Sequence, residues 1–152
     1  MIKTIDSSNI PTSEENSFFV STDKSLLDID LITDFLRNKS YWAKGRNREI
    51  VERSIAHSMC FGVYTEKGQQ AGFARVVTDY AVFGWIMDVF VVPEYRKNGL
   101  GKLLLKNLME HPELKSIEKW GLKTLDAHLL YKKFGFRNTT QSELIMEKIG
   151  AL

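Results

Sequence analysis

The sequence predicts a mixed α/β domain, and three observations support this fold class. Apolar residues recur at helical spacing in several segments, most clearly around residues 100–110. Apolar runs of strand length lie between those segments, and the longest is Val82–Val92. The 152-residue chain has 43% hydrophobic and 26% charged residues, as is typical of globular proteins. A chain of this size can bury one substantial core.

Composition and charge narrow the classes of function. A net charge of +2 without a basic stripe disfavours a nucleic-acid partner. No apolar stretch approaches the roughly 18 residues that a membrane span needs, so no membrane partner is expected. Cys60 is the one cysteine and the three histidines lie far apart, so we expect neither a disulfide nor a metal. A polar start without a signal-peptide core fits a cytoplasmic location.

The N-terminal part is predicted to contain a leader, a strand and two helices. Residues 1–16 form a polar leader, and residues 17–152 form a single domain. We predict a strand at Ser17–Thr22, a helix that Ser25 or Asp28 caps, and a second helix at Arg48–His57. An aromatic and basic loop, YWAKGR, connects the two helices.

The middle of the chain is predicted to be mainly strands. Ser58–Tyr64 and Ala71–Val77 flank EKGQQ, which is a hairpin signal. The run Val82–Val92 is nearly unbroken and ends at Pro93, which is typical of a central strand buried on both faces.

Two strand-and-helix pairs are predicted after Pro93. The helix Gly101–Glu110 carries leucines on one face, and a short strand follows at Trp120–Thr124. A helix at Asp126–Phe134, ending near Gly135, precedes a final strand at Leu144–Ile149.

The turn between the central strand and the 101–110 helix has the pattern R-x-x-G-x-G, from Arg96 to Gly101. The first N–H groups of a helix have no partners inside the helix, and they attract anions. Lys97 and Lys102 add positive charge. The chain lacks GxxxxGK[ST], and Leu104 occupies the third glycine position of GxGxxG, so both common nucleotide motifs are excluded. A simple flexible turn remains the alternative.

The segment DVFVVPEYRKNGLGKLLL resembles the cofactor motif of the GNAT N-acetyltransferase superfamily, and DAHLLYKKFGF resembles its second motif. The resemblance implies a twisted, mixed and mostly antiparallel sheet of about six to seven strands. About four helices would flank this sheet, and its central strands would splay apart. It also implies acetyl-CoA as co-substrate, an amine as acceptor, and no metal.

The resemblance assigns cofactor contacts to two backbone stretches and three side chains. The pantetheine arm would lie along Val89, Phe90 and Val91, and the N–H groups from Lys97 to Lys102 would hold the pyrophosphate. Thr124 stands where many family members have an asparagine, so its contact is weaker. The implied cofactor-binding residues are Val89, Phe90, Val91, Arg96, Lys97, Asn98, Gly99, Leu100, Gly101, Lys102, Thr124 and Tyr131.

Two residues would act directly on the thioester in this family. The Val89 N–H would polarise its carbonyl, and Tyr131 would protonate the departing thiolate. Without the resemblance, Tyr131 would instead be interpreted as a half-buried aromatic residue.

The acceptor side is predicted around Asp88, the only charge in the apolar run. A buried carboxylate is costly unless it is paired or hydrated. Asp88 would bind the acceptor's ammonium or act as a base. The alternative is a structural carboxylate that pairs with an arginine such as Arg75 or accepts hydrogen bonds from the backbone. The resemblance implies that the loop with Tyr41 and Trp42 lines the acceptor wall, and core packing is the alternative for Trp42. Arg75 and Asp79 are further candidates for this wall.

These observations predict an acetyl-CoA-dependent N-acetyltransferase that acts on a primary amine, of a small molecule in our preferred interpretation, by direct attack in a ternary complex. Two alternatives stay open. One is a non-catalytic acyl-CoA-binding or regulatory module, and the other is a transferase with another acyl chain, an O-acceptor or a protein amine. The sequence does not fix the oligomeric state, and a homodimer is allowed.

Overall fold

A computed structural model describes residues 17–150, and these residues form a five-stranded sheet with helices on both faces. The strands follow one another in chain order across the sheet. All neighbours are antiparallel except the last two strands, which run parallel. The strands are β1 (Phe18–Ser21), β2 (Met59–Thr65), β3 (Gln70–Thr78), β4 (Phe83–Val91) and β5 (Lys119–Leu122).

The four predicted helices are present between residues 17 and 150, in the predicted order. They are α1 (Ile29–Asp34), continued by a wider turn at Phe35–Lys39, then α2 (Arg48–Ala56), α3 (Leu100–Glu110) and α4 (His128–Lys132). The Asp28 carboxylate accepts a hydrogen bond from the Leu31 N–H at 3.0 Å, so the predicted cap is confirmed. Asn47 caps α2 in the same way, with the Ile50 N–H as donor.

Two apolar layers cover the two faces of the sheet. On one face, the buried side of α3, with Leu104 and Leu108, packs on Phe61 and Ile86. On the other face, Phe35 after α1 and Val51 and Ile55 of α2 pack in one cluster with Phe73 and Phe90 of the sheet. The predicted apolar face of α3 is therefore in the core.

Strand β4 carries a bulge beside Asp88. Phe73 pairs with Phe90 and Arg75 pairs with Met87, so β4 has one residue more than β3 in this stretch. Asp88 itself has φ of +55°, in the left-handed region. Burial along β4 alternates between buried and partly exposed residues. The expectation of equal burial on both faces was therefore wrong, because β5 and the helices leave part of β4 uncovered.

Strands β4 and β5 pair over four residues and then separate. The parallel ladder joins Phe83–Ile86 to Lys119–Leu122, and β5 ends there while β4 continues to Val91. Gly84 lies opposite Trp120 and Gly121 lies opposite Trp85, and a Cβ at either glycine would collide with the facing indole. These packed glycine–tryptophan pairs lie just before the point at which the two strands diverge.

The predicted final strand at Leu144–Ile149 was wrong. A 3₁₀ turn covers Ser142–Leu144, and the residues after it are exposed and form no ladder. A strand needs partners for its N–H and C=O groups, and here a cavity of about 570 Å³ separates the segment from β5. The Lys123–Glu147 ion pair joins the segment to the residue that follows β5. Over the described residues the sheet thus has five strands, not six to seven.

Three other expectations concern the leader, membrane spans and metal ligands. The predicted leader, residues 1–16, lies outside the described residues. Between residues 17 and 150, no helix is long and apolar enough to cross a membrane. The same part of the chain contains no group of three or more His, Cys, Asp and Glu side chains that could hold a metal ion.

Candidate active site

A cavity of about 510 Å³ opens where β4 and β5 separate. Its walls come from β4, from the segment between β5 and α4, and from the loop between α1 and α2. The lining residues that matter below are Tyr41, Trp42, Arg46, Asp88, Val89 and Tyr131. The predicted splay is therefore present, and it brings residues from three distant segments together.

The backbone of β4 presents hydrogen-bonding groups to this cavity. The Val92 N–H donates to the Ala71 carbonyl at 2.8 Å, and Phe90 pairs with Phe73, so both residues point their N–H groups towards β3. Because these groups alternate along a strand, the N–H groups of Val89 and Val91 point towards the edge that β5 has left. The Val89 N–H is thus available to a ligand in the gap.

Asp88 forms the most buried polar contacts of the site. The Arg75 Nε and the Arg46 Nη1 donate to its Oδ2 at 2.7 Å and 2.9 Å. The Trp42 Nε1–H donates to its Oδ1 at 2.8 Å. Only 1% of the Asp88 side chain is exposed, so the three donors replace water around the carboxylate. This arrangement favours the predicted alternative in which Asp88 pairs with Arg75.

The Asp88 contacts tie the acceptor wall to the bulge in β4. Trp42 and Arg46 belong to the loop between α1 and α2, while Asp88 precedes Val89. A shift of the loop would break two hydrogen bonds to a buried charge, which is costly. The carboxylate therefore positions both the loop and the N–H that follows it.

Tyr131 lies on α4 and lines the cavity opposite β4. It is 8% exposed, and its ring packs edge-on against Phe136. Burial raises the pKa of Tyr131 to about 12, and the nearby Tyr41 and Asp126 act in the same direction. The phenol therefore keeps its proton at neutral pH, as a general acid must.

The aromatic residues of the loop reach across the cleft. The Leu125 N–H donates to the Tyr41 hydroxyl at 3.0 Å, which connects the loop to the segment after β5. The rings of Tyr41 and Trp42 meet edge to face with centroids 5.0 Å apart. Both predicted wall residues line the cavity, and Trp42 is 39% exposed.

Thr124 lines the same cavity, and its hydroxyl already has a structural contact. The Ala127 N–H donates to Thr124 Oγ1 at 3.0 Å, just before α4 begins. The hydroxyl hydrogen is still free to donate to a ligand.

The glycine loop forms an open helix start at the edge of the sheet. Lys97 and Gly99 have φ of +68° and +71°, so the chain turns sharply twice before α3. No side chain caps α3, so its first N–H groups have no partner from a capping side chain. Asn98 Nδ2 donates to the Tyr95 carbonyl at 2.9 Å and Arg96 Nε donates to the Val91 carbonyl at 3.4 Å, and these bonds hold the loop against β4.

The two sequence motifs meet in space. A Cβ placed on Gly101 would be 3.4 Å from the Leu130 side chain, so the start of α3 lies beside α4. The uncapped helix start and Tyr131 thus belong to one surface.

Two predicted acceptor residues lie outside the cavity. Asp79 is in the turn between β3 and β4, where it accepts hydrogen bonds from the N–H groups of Ala81, Val82 and Phe83. These bonds, the one from Phe83 foremost, lower the pKa of Asp79. Asp79 thus stabilises the turn, which corrects its assignment to the acceptor wall. Arg75 contacts Asp88 but does not line the cavity.

The sequence interpretation did not assign several lining residues. Arg46 is the most important, and Lys123 and Asp126 also line the cavity. A signal for Arg46 existed, because a lone carboxylate in an apolar run needs cationic partners and the YWAKGR loop supplies two. The sequence analysis placed this loop at the acceptor wall but did not assign the contact between Arg46 and Asp88.

Strands β4 and β5 run parallel and separate onto a cavity, and an uncapped helix follows β4. This arrangement is typical of acyl-CoA N-acetyltransferase folds. A family profile described as "Acetyltransferase (GNAT) domain" matches residues 56–138. The chain therefore belongs to the GNAT acetyltransferase family. It is an N-acetyltransferase, and the co-substrate of its family is acetyl-CoA.

Individual relatives agree with this assignment. A crystal structure of a GNAT-family protein from Xanthomonas campestris pv. campestris is 44% identical, with a TM-score of 0.84, covering 88% of this chain and 93% of that one. The Gibberella zeae protein FG08082, named as an acetyltransferase, is 29% identical, and the alignment covers 80% of this chain and 80% of that one. Glucosamine-6-phosphate N-acetyltransferase from Arabidopsis thaliana shares the fold at 21% identity, with a TM-score of 0.61, over 87% of this chain and 97% of that one.

Proposed function

We propose that this enzyme transfers the acetyl group of acetyl-CoA to the primary amine of a small molecule, by direct attack in a ternary complex. One observation carries the proposal: the free edge of β4 at Val89 and the hydroxyl-bearing Tyr131 line the same cavity. In this proposal Val89 would supply the hydrogen-bond donor for the thioester oxygen and Tyr131 the acid for the sulfur.

The cofactor would lie along β4 and end at the helix start. N–H groups from Lys97 to Lys102 would hold the pyrophosphate, with help from the α3 dipole and Arg96. The pantetheine arm would pair with the free β4 edge from Val89 to Val91, as an added strand does. Thr124 would donate one hydrogen bond to this arm.

The reaction needs one nucleophile, one oxyanion donor and one acid. The neutral amine attacks the thioester carbon, a C–N bond forms, and the Val89 N–H stabilises the oxyanion. When the C–S bond breaks, Tyr131 gives its proton to the CoA sulfur. The amine's extra proton leaves to solvent, and solvent returns a proton to the Tyr131 phenolate. No side chain needs to act as the base in this scheme.

The size and walls of the cavity support a small acceptor. Its volume of about 510 Å³ is within the usual range of small-molecule sites. Tyr41 and Trp42 form an aromatic wall on which the body of an amine can pack.

The test is a turnover screen with acetyl-CoA and representative amines: polyamines, aminoglycosides, arylamines, peptides and a lysine-rich protein. Release of free CoA thiol and mass spectrometry of the acetylated amine are measured, and a reaction without amine is the control. We expect amine-dependent release with a small molecule. Acetyl-CoA binding without release for any amine would instead favour a binding module. Faster transfer from a longer acyl-CoA would show that acetyl is the wrong group.

A further inference from the structure

The buried cluster around Asp88, beside the acceptor end of the cavity, contains more positive than negative charge. Arg46 and Arg75 both donate to Asp88, so two guanidinium groups share one carboxylate. The side chains of the two arginines are only 19% and 8% exposed. The neighbouring Cys60 thiol does not supply a compensating charge, because burial raises its pKa to about 11. This buried cluster therefore carries one uncompensated positive charge, which is unfavourable without an anion.

The other charged residues of the cavity do not balance this cluster. Lys123 and Asp126 are exposed at the mouth, and Lys123 pairs with Glu147 at 2.8 Å. Among the described residues, Arg46 forms an ion pair within 4.0 Å with Asp88 alone. Asp126 therefore does not pair with the excess positive charge of the two guanidinium groups.

Arg46 is the member of the cluster that a ligand can reach. It lines the cavity, whereas Arg75 lies behind Asp88 and also donates to the Ser58 hydroxyl at 3.0 Å. Arginine has five N–H donors in a planar fork, and Asp88 accepts from one of them, on Nη1. The remaining donors suit the two oxygens of a carboxylate or phosphate.

We propose that the acceptor is an amine that also bears an acid group, and that Arg46 binds this acid group. This inference rests on the proposed function, since it names the substrate class of the same site.

A competing role for the excess charge is stabilisation of the thioester oxyanion. In that case Arg46 would contribute equally to every acceptor. Under our proposal its contribution depends on the acid group of the acceptor. Matched pairs of amines distinguish these roles.

The experiment compares amines that differ only in the acid group. The pairs are phenylalanine with phenethylamine, and an aminoalkyl phosphate with the corresponding amino alcohol. Affinity is measured by calorimetry on CoA-saturated protein, and turnover by thiol release, for wild type, Arg46→Gln and Arg46→Lys. Arg53→Gln is the matched control, because Arg53 is exposed on α2 and pairs with Glu49. Thermal unfolding checks that every variant folds.

We expect the acid-bearing member of at least one pair to bind roughly 10- to 100-fold more tightly in wild type, as is usual for hydrogen bonds to charged groups. Arg46→Gln should remove this preference, Arg46→Lys should keep part of it, and Arg53→Gln should leave it unchanged. The acetyl-CoA KM should stay the same in all four proteins.

Each contrary outcome has its own meaning. If acid-free amines bind and react as well as acid-bearing ones in every pair, the inference is wrong and the proposed function stands. If Arg46→Gln lowers turnover of both members of a pair equally, the charge serves the oxyanion and the inference is wrong. Binding of no acid-bearing amine also overturns it. If acid-bearing amines bind through Arg46 but release no CoA, the inference stands and the proposed function fails.

Discussion

The two ends of the cleft are built in different ways. The end expected to hold the pyrophosphate comes from one continuous stretch, Arg96–Lys102, and it offers mainly backbone N–H groups. The acceptor end depends on side chains from the α1–α2 loop, β3, β4 and the segment before α4. A backbone site tolerates many sequences, whereas a side-chain network depends on each member.

This difference predicts where substitutions act. At the acceptor end, loss of one member leaves a buried charge or an open wall, so stability and acceptor binding change together. At the cofactor end, only residues that control the backbone path should matter. The substitutions below test this contrast.

The largest effect is expected for Asp88→Asn at the acceptor end. Asparagine is among the residues that best tolerate positive φ, so the variant removes the charge with little change in backbone preference. Two buried guanidinium groups then lack their carboxylate, and we expect a loss of about 3–5 kcal/mol in the free energy of unfolding. Denaturant titration measures this loss.

The matched control for Asp88→Asn is Asp30→Asn. Asp30 forms an exposed ion pair with Arg48, so its substitution should change stability little. Equal, small effects of the two variants would mean that the Asp88 network does not hold the acceptor wall, and the contrast between the two ends would fail.

Tyr131→Phe tests the junction between the two ends. The variant keeps the ring packing on Phe136 and removes the proton, so kcat should fall by about 10² or more, with little change in the acetyl-CoA KM. Steady-state kinetics with the best acceptor measure this. Wild-type kcat, with the chemical step shown to be rate-limiting, would exclude Tyr131 as the acid.

The pH dependence gives a second, independent measurement on Tyr131. Burial raises the pKa of Tyr131 to about 12, above its value of about 10 in an unfolded chain. The unfolded state therefore loses this proton first as pH rises. Tyr131 contributes stability fully below about pH 10 and loses this contribution between about 10 and 12. Wild type should lose more stability over this window than Tyr131→Phe, and parallel curves would contradict the burial of the phenol.

Gly99→Ala and Gly101→Ala form a matched pair at the cofactor end. A Cβ on Gly99 would meet nothing, but its φ of +71° should cost alanine about 1–2 kcal/mol. A Cβ on Gly101 would stand at an ordinary contact distance from Leu130, on helical backbone. We expect Gly99→Ala to raise the acetyl-CoA KM about tenfold through a shifted loop, because lost charged hydrogen bonds have this size.

Gly101→Ala should change that KM and the stability little. Steady-state kinetics at varied acetyl-CoA concentration measure the KM of both variants. A larger effect of Gly101→Ala than of Gly99→Ala would mean that contact at Gly101, and not the backbone path, controls cofactor binding.

The same contrast explains what the sequence could predict. The loop Arg96–Lys102 and the element order around it were predictable, because glycine placement and apolar periodicity act over a few neighbouring residues. The cap at Asp28 and the hairpin turn at Gly68, with φ of +86°, also depend only on neighbouring residues, so they were predictable as well.

The acceptor wall was not predictable in the same way. Arg46 meets Asp88 across 42 residues, and only the fold brings the two together. The bulge that gives Asp88 its left-handed backbone depends on the pairing of β4 with β3. The apolar segment Leu144–Ile149 has the composition of a strand, but composition does not supply a ladder partner.

The smallest effect is expected at Thr124, where the two ends meet. Its hydroxyl accepts from the Ala127 N–H, and asparagine can accept the same bond while its amide donates two hydrogens to a ligand. Thr124→Asn should therefore keep the stability and lower the acetyl-CoA KM by roughly two- to tenfold, which corresponds to one further hydrogen bond. Thr124→Ala should lose the structural bond, with a drop of about 1 kcal/mol in stability. An unchanged KM in Thr124→Asn, with normal stability, would show that this position supports α4 and does not contact the cofactor.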